Sequence, residues 1–136
     1  MTPVEVTRAF IEKINAHTPD DLYELMTEDH TFVDGGGDVT QGRQAMRDAW
    51  QGYISMMPDY LITAEHIIAV ENIVGIFGNA SGTYTSDGRL KRGNTWQVPA
   101  AWLAMIRDGK VVHRQVYADN DSVRRHAPAY HCNHTG

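Results

Sequence analysis

NTWQVPAAWLAMIRDGKVVHRQVYAD, residues 94–119, decides the fold. Two long runs, Asn94 to Arg107 and Lys110 to Asp119, flank the pair Asp108-Gly109. Asp-Gly is a hairpin signature because a type I′ turn places both central residues at positive φ, which aspartate tolerates and glycine favours. The two runs therefore read as antiparallel strands. Working upstream, Ser86-Asp87-Gly88 is a turn, and Tyr60 to Val70 and Ile73 to Tyr84 are rich in Ile, Val and Thr. Those two runs meet at Glu71-Asn72, a second tight hairpin. Four strands joined by short connections make an antiparallel meander.

Upstream of Pro58 the periodicity changes from strand to helix. Thr2-Pro3-Val4-Glu5 supplies a cap hydroxyl, a proline at the first helical position and a glutamate three residues after the cap. This is a capping box with φ already set by the proline. Val6, Phe10 and Ile14 then recur every four residues, widened by Ile11, and predict a helix to about Ala16. Thr18-Pro19-Asp20-Asp21 repeats the start signal, and Leu22, Leu25 and Met26 line one face of a short second helix. A third helix runs from about Arg43 to Met57 with Met46, Ala49, Trp50, Tyr53 and Met57 on one side, and Pro58 ends it. Thr31-Phe32-Val33-Asp34 is a short strand before the glycine turn Gly35-Gly36-Gly37.

The expected order is α-α-β-α-β-β-β-β, an α+β domain. Three amphipathic helices are available to cover one face of the sheet, and strong curling makes a cone with an internal cavity. The 136 residues form one domain over 1–125, followed by an aperiodic tail at 126–136. A hydrophobic content of 42% with 21% charged residues is globular. The net charge is −5 and no basic cluster exceeds Arg124-Arg125, which argues against nucleic acid. No apolar run is long enough for a membrane span. The start carries no secretory pattern, and the single Cys132 excludes an internal disulfide, so a cytoplasmic location is expected.

Ordered along the chain, several stretches together resemble one family. They are Phe10 with Ile14-Asn15-Ala16, LYELMTEDHTFVD at 22–34, GRQAMR at 42–47, MPD at 57–59, DGKVV at 108–112 and VYAD at 116–119. The chain resembles the nuclear-transport-factor-2-like superfamily over roughly residues 4 to 125, and especially its SnoaL-like polyketide cyclases. The scaffold hosts many activities, so the resemblance speaks to fold more than to function. A ketosteroid-isomerase-like member carries a carboxylate where Asp34 stands, but its two oxyanion donors correspond to Phe10 and Ala101, which cannot donate. A limonene-epoxide-hydrolase-like member needs charged residues on a central strand, and Ile76 to Ser81 has none. A SnoaL-like cyclase needs an aspartate near the end of the last strand, and Asp119 occupies that place.

The resemblance thus implies Asp119 as general acid/base, with Asp34 as a polar partner. A carboxyl group raised by an apolar cavity is able both to remove a proton and to return it. No metal or organic cofactor is required by that scheme. Asp119 equally reads as a cap on Asn120 to Arg125, with Asp121 the substitute if a bulge shifts the strand; Asp34 equally reads as a turn former. His113, Gln115, Tyr117 and Asp119 alternate, so a regular strand sets them on one face, as a polar pocket wall or a solvated surface. His113 is the third candidate for catalysis. Substrate contacts are expected from Tyr117, Gln115, Trp50, Tyr53 and His66, and the resemblance adds Leu103 and Met105 as cavity-facing residues. Trp96 and Trp102 then fall on the outer face, where an apolar patch suits a homodimer.

The expected function is a small-molecule enzyme acting on an aromatic or polycyclic substrate by aldol cyclisation or related lyase or isomerase chemistry. A non-catalytic small-molecule binding or dimerisation module on the same fold is the alternative. A hydrolase or dehydratase with an unread constellation is a third. His126, His131, Cys132 and His134 match no closed zinc motif, and no metal is expected. Gly35-Gly36-Gly37 precedes no Lys-Ser/Thr and is no phosphate loop.

Overall fold

The computed structural model describes residues 1–119. Asp121 and the histidine- and cysteine-bearing tail lie outside the described residues. Helix α1 (Pro3–Asn15) begins on the predicted capping box: Thr2 Oγ1 accepts from the Glu5 amide, and the Glu5 carboxylate accepts from the Thr2 amide at 2.9 Å. Helix α2 (Pro19–Leu25) runs straight into strand β1 (Met26–Val33), and a three-residue strand β2 (Val39–Gln41) precedes α3 (Arg43–Met56). The meander follows as β3 (Leu61–Val70), β4 (Ile73–Thr83), β5 (Thr95–Arg107) and β6 (Lys110–Ala118).

All six strands form one curved sheet in the order β2-β1-β6-β5-β4-β3. The hairpins at Glu71-Asn72 and Asp108-Gly109 are present, with Glu71 and Asp108 both at φ 54°. Two features of the sheet differ from the expected meander. β1 is twice as long as the segment Thr31–Asp34 and lies parallel to β6, so the sheet is mixed. β2, which pairs with β1, was not foreseen. Thr27-Glu28-Asp29 conceals the first half of β1, since a polar triplet carries no strand alternation.

Curvature has local causes. β3 shifts register between Ala64 and His66, leaving Glu65 as an extra residue opposite Gly78. A Cβ at Gly78 would overlap the Thr63 carbonyl, so only glycine permits this approach. A second shift lies on β6, where Met105 faces His113 but Ile106 faces Val111. Val112 is the extra residue, and the bulge brings Val111 and Arg114 to the same side of the sheet.

The three helices cover the concave face, and the core lies between. Val6, Phe10 and Ile14 of α1 and Met46, Trp50 and Tyr53 of α3 are buried against Trp96, Trp102, Ala104 and Val116 of the sheet. Asn15 fixes the end of α1 to β3 through paired bonds with the Ile62 amide and carbonyl at 2.8 and 2.9 Å. No helix among the described residues is long and apolar enough to cross a membrane.

Candidate functional site

The side chains that fill the concave face are aromatic, and one of them is cationic. Tyr53 and Tyr60 meet edge to face at 4.9 Å between centroids, and Trp50 lies 6.1 Å from Tyr53. Tyr60 continues the cluster to Trp96 at 6.1 Å. Trp96 donates its indole N–H to Met57 Sδ at 3.3 Å. Beside this cluster Arg114 enters from β6. Its guanidinium carbon lies 5.8, 5.7 and 5.6 Å from the ring centroids of Phe10, Phe32 and Trp50.

Arg114 is only 4% exposed, and its Nη1 has no hydrogen-bond partner among the described residues. Burial lowers its pKa to about 10, opposed by the neighbouring Tyr60 and Tyr53. An arginine remains charged at that value at neutral pH. Its compensation within the described chain is the negative faces of three aromatic rings. Tyr60 is raised to about 12 by burial and keeps its proton; its hydroxyl and the Trp50 indole nitrogen also lack partners among the described residues.

His30 approaches from β1. Its Nδ1 lies 2.7 Å from the Val111 carbonyl oxygen. A carbonyl only accepts, so Nδ1 carries the hydrogen and a neutral ring must present a lone pair at Nε2. Burial first, then Arg114 and His113, lower the His30 pKa to about 4, against the opposing effects of the Val111 carbonyl and Asp29. The ring is therefore neutral at physiological pH. Nε2 is buried with no partner among the described residues. Phe10 links the two polar groups: it stacks on His30 at 6.5 Å and lies under Arg114.

The interior is nearly full. The cavity lined by Phe10, Ile11, Ile62, Trp102 and Arg114 has a volume of about 10 Å³, room for about one water molecule. A ligand larger than water must displace side chains to enter this cavity. The internal cavity expected of the cone is present at this place only as that small space.

Several predicted site residues stand elsewhere. The β6 bulge and the burial pattern set His113 and Gln115, half-buried, and Tyr117, 53% exposed, on the convex face. The row His113, Gln115, Tyr117 is thus an outer surface and not a pocket wall. Asp119 follows the end of β6 and is exposed. Leu103 and Met105 also face outward, half-buried, while Trp96 and Trp102 are 2% and 3% exposed inside the core. The expected parity of β5 is reversed, because the larger side chains follow the helices. His66 is exposed beside the β3 bulge.

Asp34 is 3% exposed, but its carboxylate is engaged in the glycine turn. It accepts from the Gly36 amide at 2.8 Å and the Asp38 amide at 3.1 Å. Burial raises its pKa, while these amides oppose the shift. Trp50 and Tyr53 are both buried in the core, each 2% exposed. Arg114 and His30 were missed, and Tyr60 was named only as the start of a strand. An aspect of β6 could have found Arg114: two valines at 111 and 112 break the alternation, which is where a bulge is accommodated. Among the described residues no cluster of His, Cys, Asp and Glu is arranged to hold a metal ion.

Comparison with known proteins agrees with this architecture. The SnoaL-like domain model matches residues 7–114. Among solved structures, a protein with a ketosteroid-isomerase-like fold from Catenulispora acidiphila, determined in complex with trimethylamine, has a TM-score of 0.78 at 22% identity. The alignment covers 94% of this chain and 95% of that one. A candidate SnoaL-like polyketide cyclase from Shewanella denitrificans has a TM-score of 0.80 at 12% identity, over 94% and 98% of the two chains. IdmH, a candidate polyketide cyclase from Streptomyces antibioticus, has 0.77 at 20%, over 94% and 99%. At such identities the likeness is one of fold. No curated protein matches the sequence. The chain belongs to the SnoaL-like domain family, within the nuclear-transport-factor-2-like superfamily.

Proposed function

We propose that this SnoaL-like domain is an acid/base enzyme for a small aromatic carbonyl compound, with its chemistry at the concave face. The observation that carries the reading is the fixed tautomer of His30, whose buried Nε2 lone pair has no partner among the described residues. In this scheme Nε2 takes a proton from the carbon next to the substrate carbonyl. The electron pair moves onto the carbonyl oxygen, where the Tyr60 hydroxyl and the Trp50 indole N–H donate. The enolate carbon then attacks a second carbonyl of the same substrate, and the proton on His30 passes to the new alkoxide. One carbon–carbon bond forms and no proton is gained or lost overall.

Low basicity does not disqualify His30. A depressed pKa keeps the ring in its base form at neutral pH, and the imidazolium that forms is stabilised by the enolate created beside it. In this scheme the acid/base role that the resemblance implies for Asp119, with Asp34 as its polar partner, falls to His30. Asp119 is exposed and the Asp34 carboxylate is committed to its turn. Trimethylamine, the ligand of the Catenulispora structure, is protonated at neutral pH, and the charge of Arg114 opposes such a ligand here. A second reading is supported by the filled interior: a binding module that opens for a ligand without turning it over.

Proton exchange tests the two readings. Acetophenone and 4-acetylbenzoate in D₂O, followed by proton NMR, should lose their methyl protons faster with the protein than in buffer. His30→Asn, which keeps a donor for the Val111 carbonyl and removes Nε2, should abolish the acceleration. Exchange of neither ketone above the buffer rate, or equal exchange with His30→Asn, would sink the catalytic reading.

The outer sheet face supports a second proposal, that two copies associate through it. Ile68, Val70, Ile73, Phe77 and Tyr117 are between 41% and 68% exposed there, and Leu103 and Met105 lie among them. Register places Phe77 beside Ala101 and Ala101 beside Tyr117, so the patch is continuous across three strands. A two-fold contact buries one such patch against its own copy.

A further inference from the structure

We infer that the interior site takes a ligand bearing a permanent negative charge, a carboxylate in particular, and that Arg114 is its receptor. The inference rests on reading the concave face as the ligand site. Arg114 is 96% buried by its 4% exposure and lines the internal cavity, and its Nη1 has no partner among the described residues. No carboxylate among the described residues pairs with it; the four ion pairs recorded there all involve other residues. The groups around it are Phe10, Phe32 and Trp50 by ring contact, with the phenols of Tyr53 and Tyr60 nearby.

A buried ion without a counter-ion is costly whenever the protein is folded. An enolate carries its charge only during the reaction, so it offsets this cost for a small part of the time that a ligand is bound. A ligand that arrives already ionised offsets it for as long as it is bound. A guanidinium fork matches a carboxylate geometrically, with two parallel N–H···O bonds, better than it matches a single oxygen. The unpartnered donors agree with this polarity: Trp50 Nε1 and Tyr60 OH add to Arg114, while the buried lone pair of His30 Nε2 is available for the proton of the reacting carbon. The aromatic rings on three sides suit a planar body attached to the carboxylate. The substrate class is therefore an aromatic oxo acid, held by its carboxylate at Arg114.

Benzoate and benzamide, equal in shape and different in charge, test this at matched ionic strength. Equilibrium binding is followed by tryptophan fluorescence, since Trp50 lies against Arg114, and checked by thermal shift. Benzoate is expected to bind at least tenfold more tightly than benzamide. Arg114→Met, an apolar side chain of similar reach, should stay folded and lose the preference. Arg114→Lys keeps the charge without the fork and should reduce the preference at least threefold, which keeps the test decisive if the methionine variant does not fold. Equal affinities, binding of neither probe, or an unchanged preference in the folded variants would overturn the inference. The outcome separates from that of the proton-exchange test. Charge preference without exchange leaves an anion-binding module, and exchange of acetophenone without charge preference leaves an enzyme for neutral ketones.

Discussion

Lowering the pH from 7 to 5 should cost the folded protein about 2 kcal/mol through His30 alone. The ring is held at about 4 in the fold, against an ordinary value of 6.5. Below pH 6.5 the unfolded chain binds a proton that the folded chain refuses, so stability is fully present above 6.5 and is lost as pH falls towards 4. The whole effect is about 3.4 kcal/mol, and a little over half of it falls between pH 7 and 5. The groups facing His30 set this value: burial, Arg114 and His113 lower it, and the Val111 carbonyl and Asp29 raise it. Asp34 acts in the opposite direction, since burial has raised its carboxyl and the fold gains as that group protonates. Asp29 is held at about 2 by Arg107 on the surface and stays ionised throughout this window. Urea unfolding at pH 7, 6 and 5 measures the loss, and the same series on His30→Asn should be flatter by about 2 kcal/mol. Parallel curves for the two proteins would show that His30 charges freely inside the fold. The fixed tautomer, and with it the proposed base, would then be wrong.

Gly78→Ala should destabilise by about 2–3 kcal/mol, because the new methyl meets the Thr63 backbone, which has nowhere to go. Gly75→Ala is the control: its methyl meets the Phe77 ring at 3.3 Å and the Ile68 carbonyl oxygen at an ordinary 3.9 Å, and Phe77 is 46% exposed and free to swing away, so the change in urea midpoint should be small. Light scattering should return twice the chain mass for the wild type at high micromolar concentration and the chain mass for Phe77→Glu; a wild-type monomer under those conditions would exclude the outer-face dimer.

Helices and the meander were legible because each is written in local chemistry. Thr2, Pro3 and Glu5 state a helix start whatever follows, and Asp108-Gly109 states a turn whatever it joins. The parallel pairing of β1 with β6 is not local, since it joins residues about eighty positions apart. Nothing in Thr27-Glu28-Asp29 announces it. The short β2 exists only because β1 supplies an edge next to the Asp34 turn.

The site was harder to read than the fold because two strand faces compete for the same alternation. On β5, both Trp96, Val98, Trp102 and Ala104 and the intervening Ala101, Leu103 and Met105 are apolar, so hydrophobicity alone does not choose the concave side. Side-chain volume does: two indoles need the thickness of a helix layer to be covered, and the convex face has no such layer. On β6 the usual rule fails outright. An arginine between His113 and Gln115 reads as solvent-facing, and regular alternation would place the polar row and Arg114 on opposite faces in either orientation. Setting Arg114 inside is costly on its face, and it is accepted only because the Val112 bulge fixes the strand on both sides, with Val111 and Val116 buried next to it. A sequence that merely needed a filled core would carry methionine or leucine at this position, which would pack among Phe10, Phe32 and Trp50 without an unpaired cation. The departure from that simpler solution is the strongest argument that residue 114 was selected for what it binds.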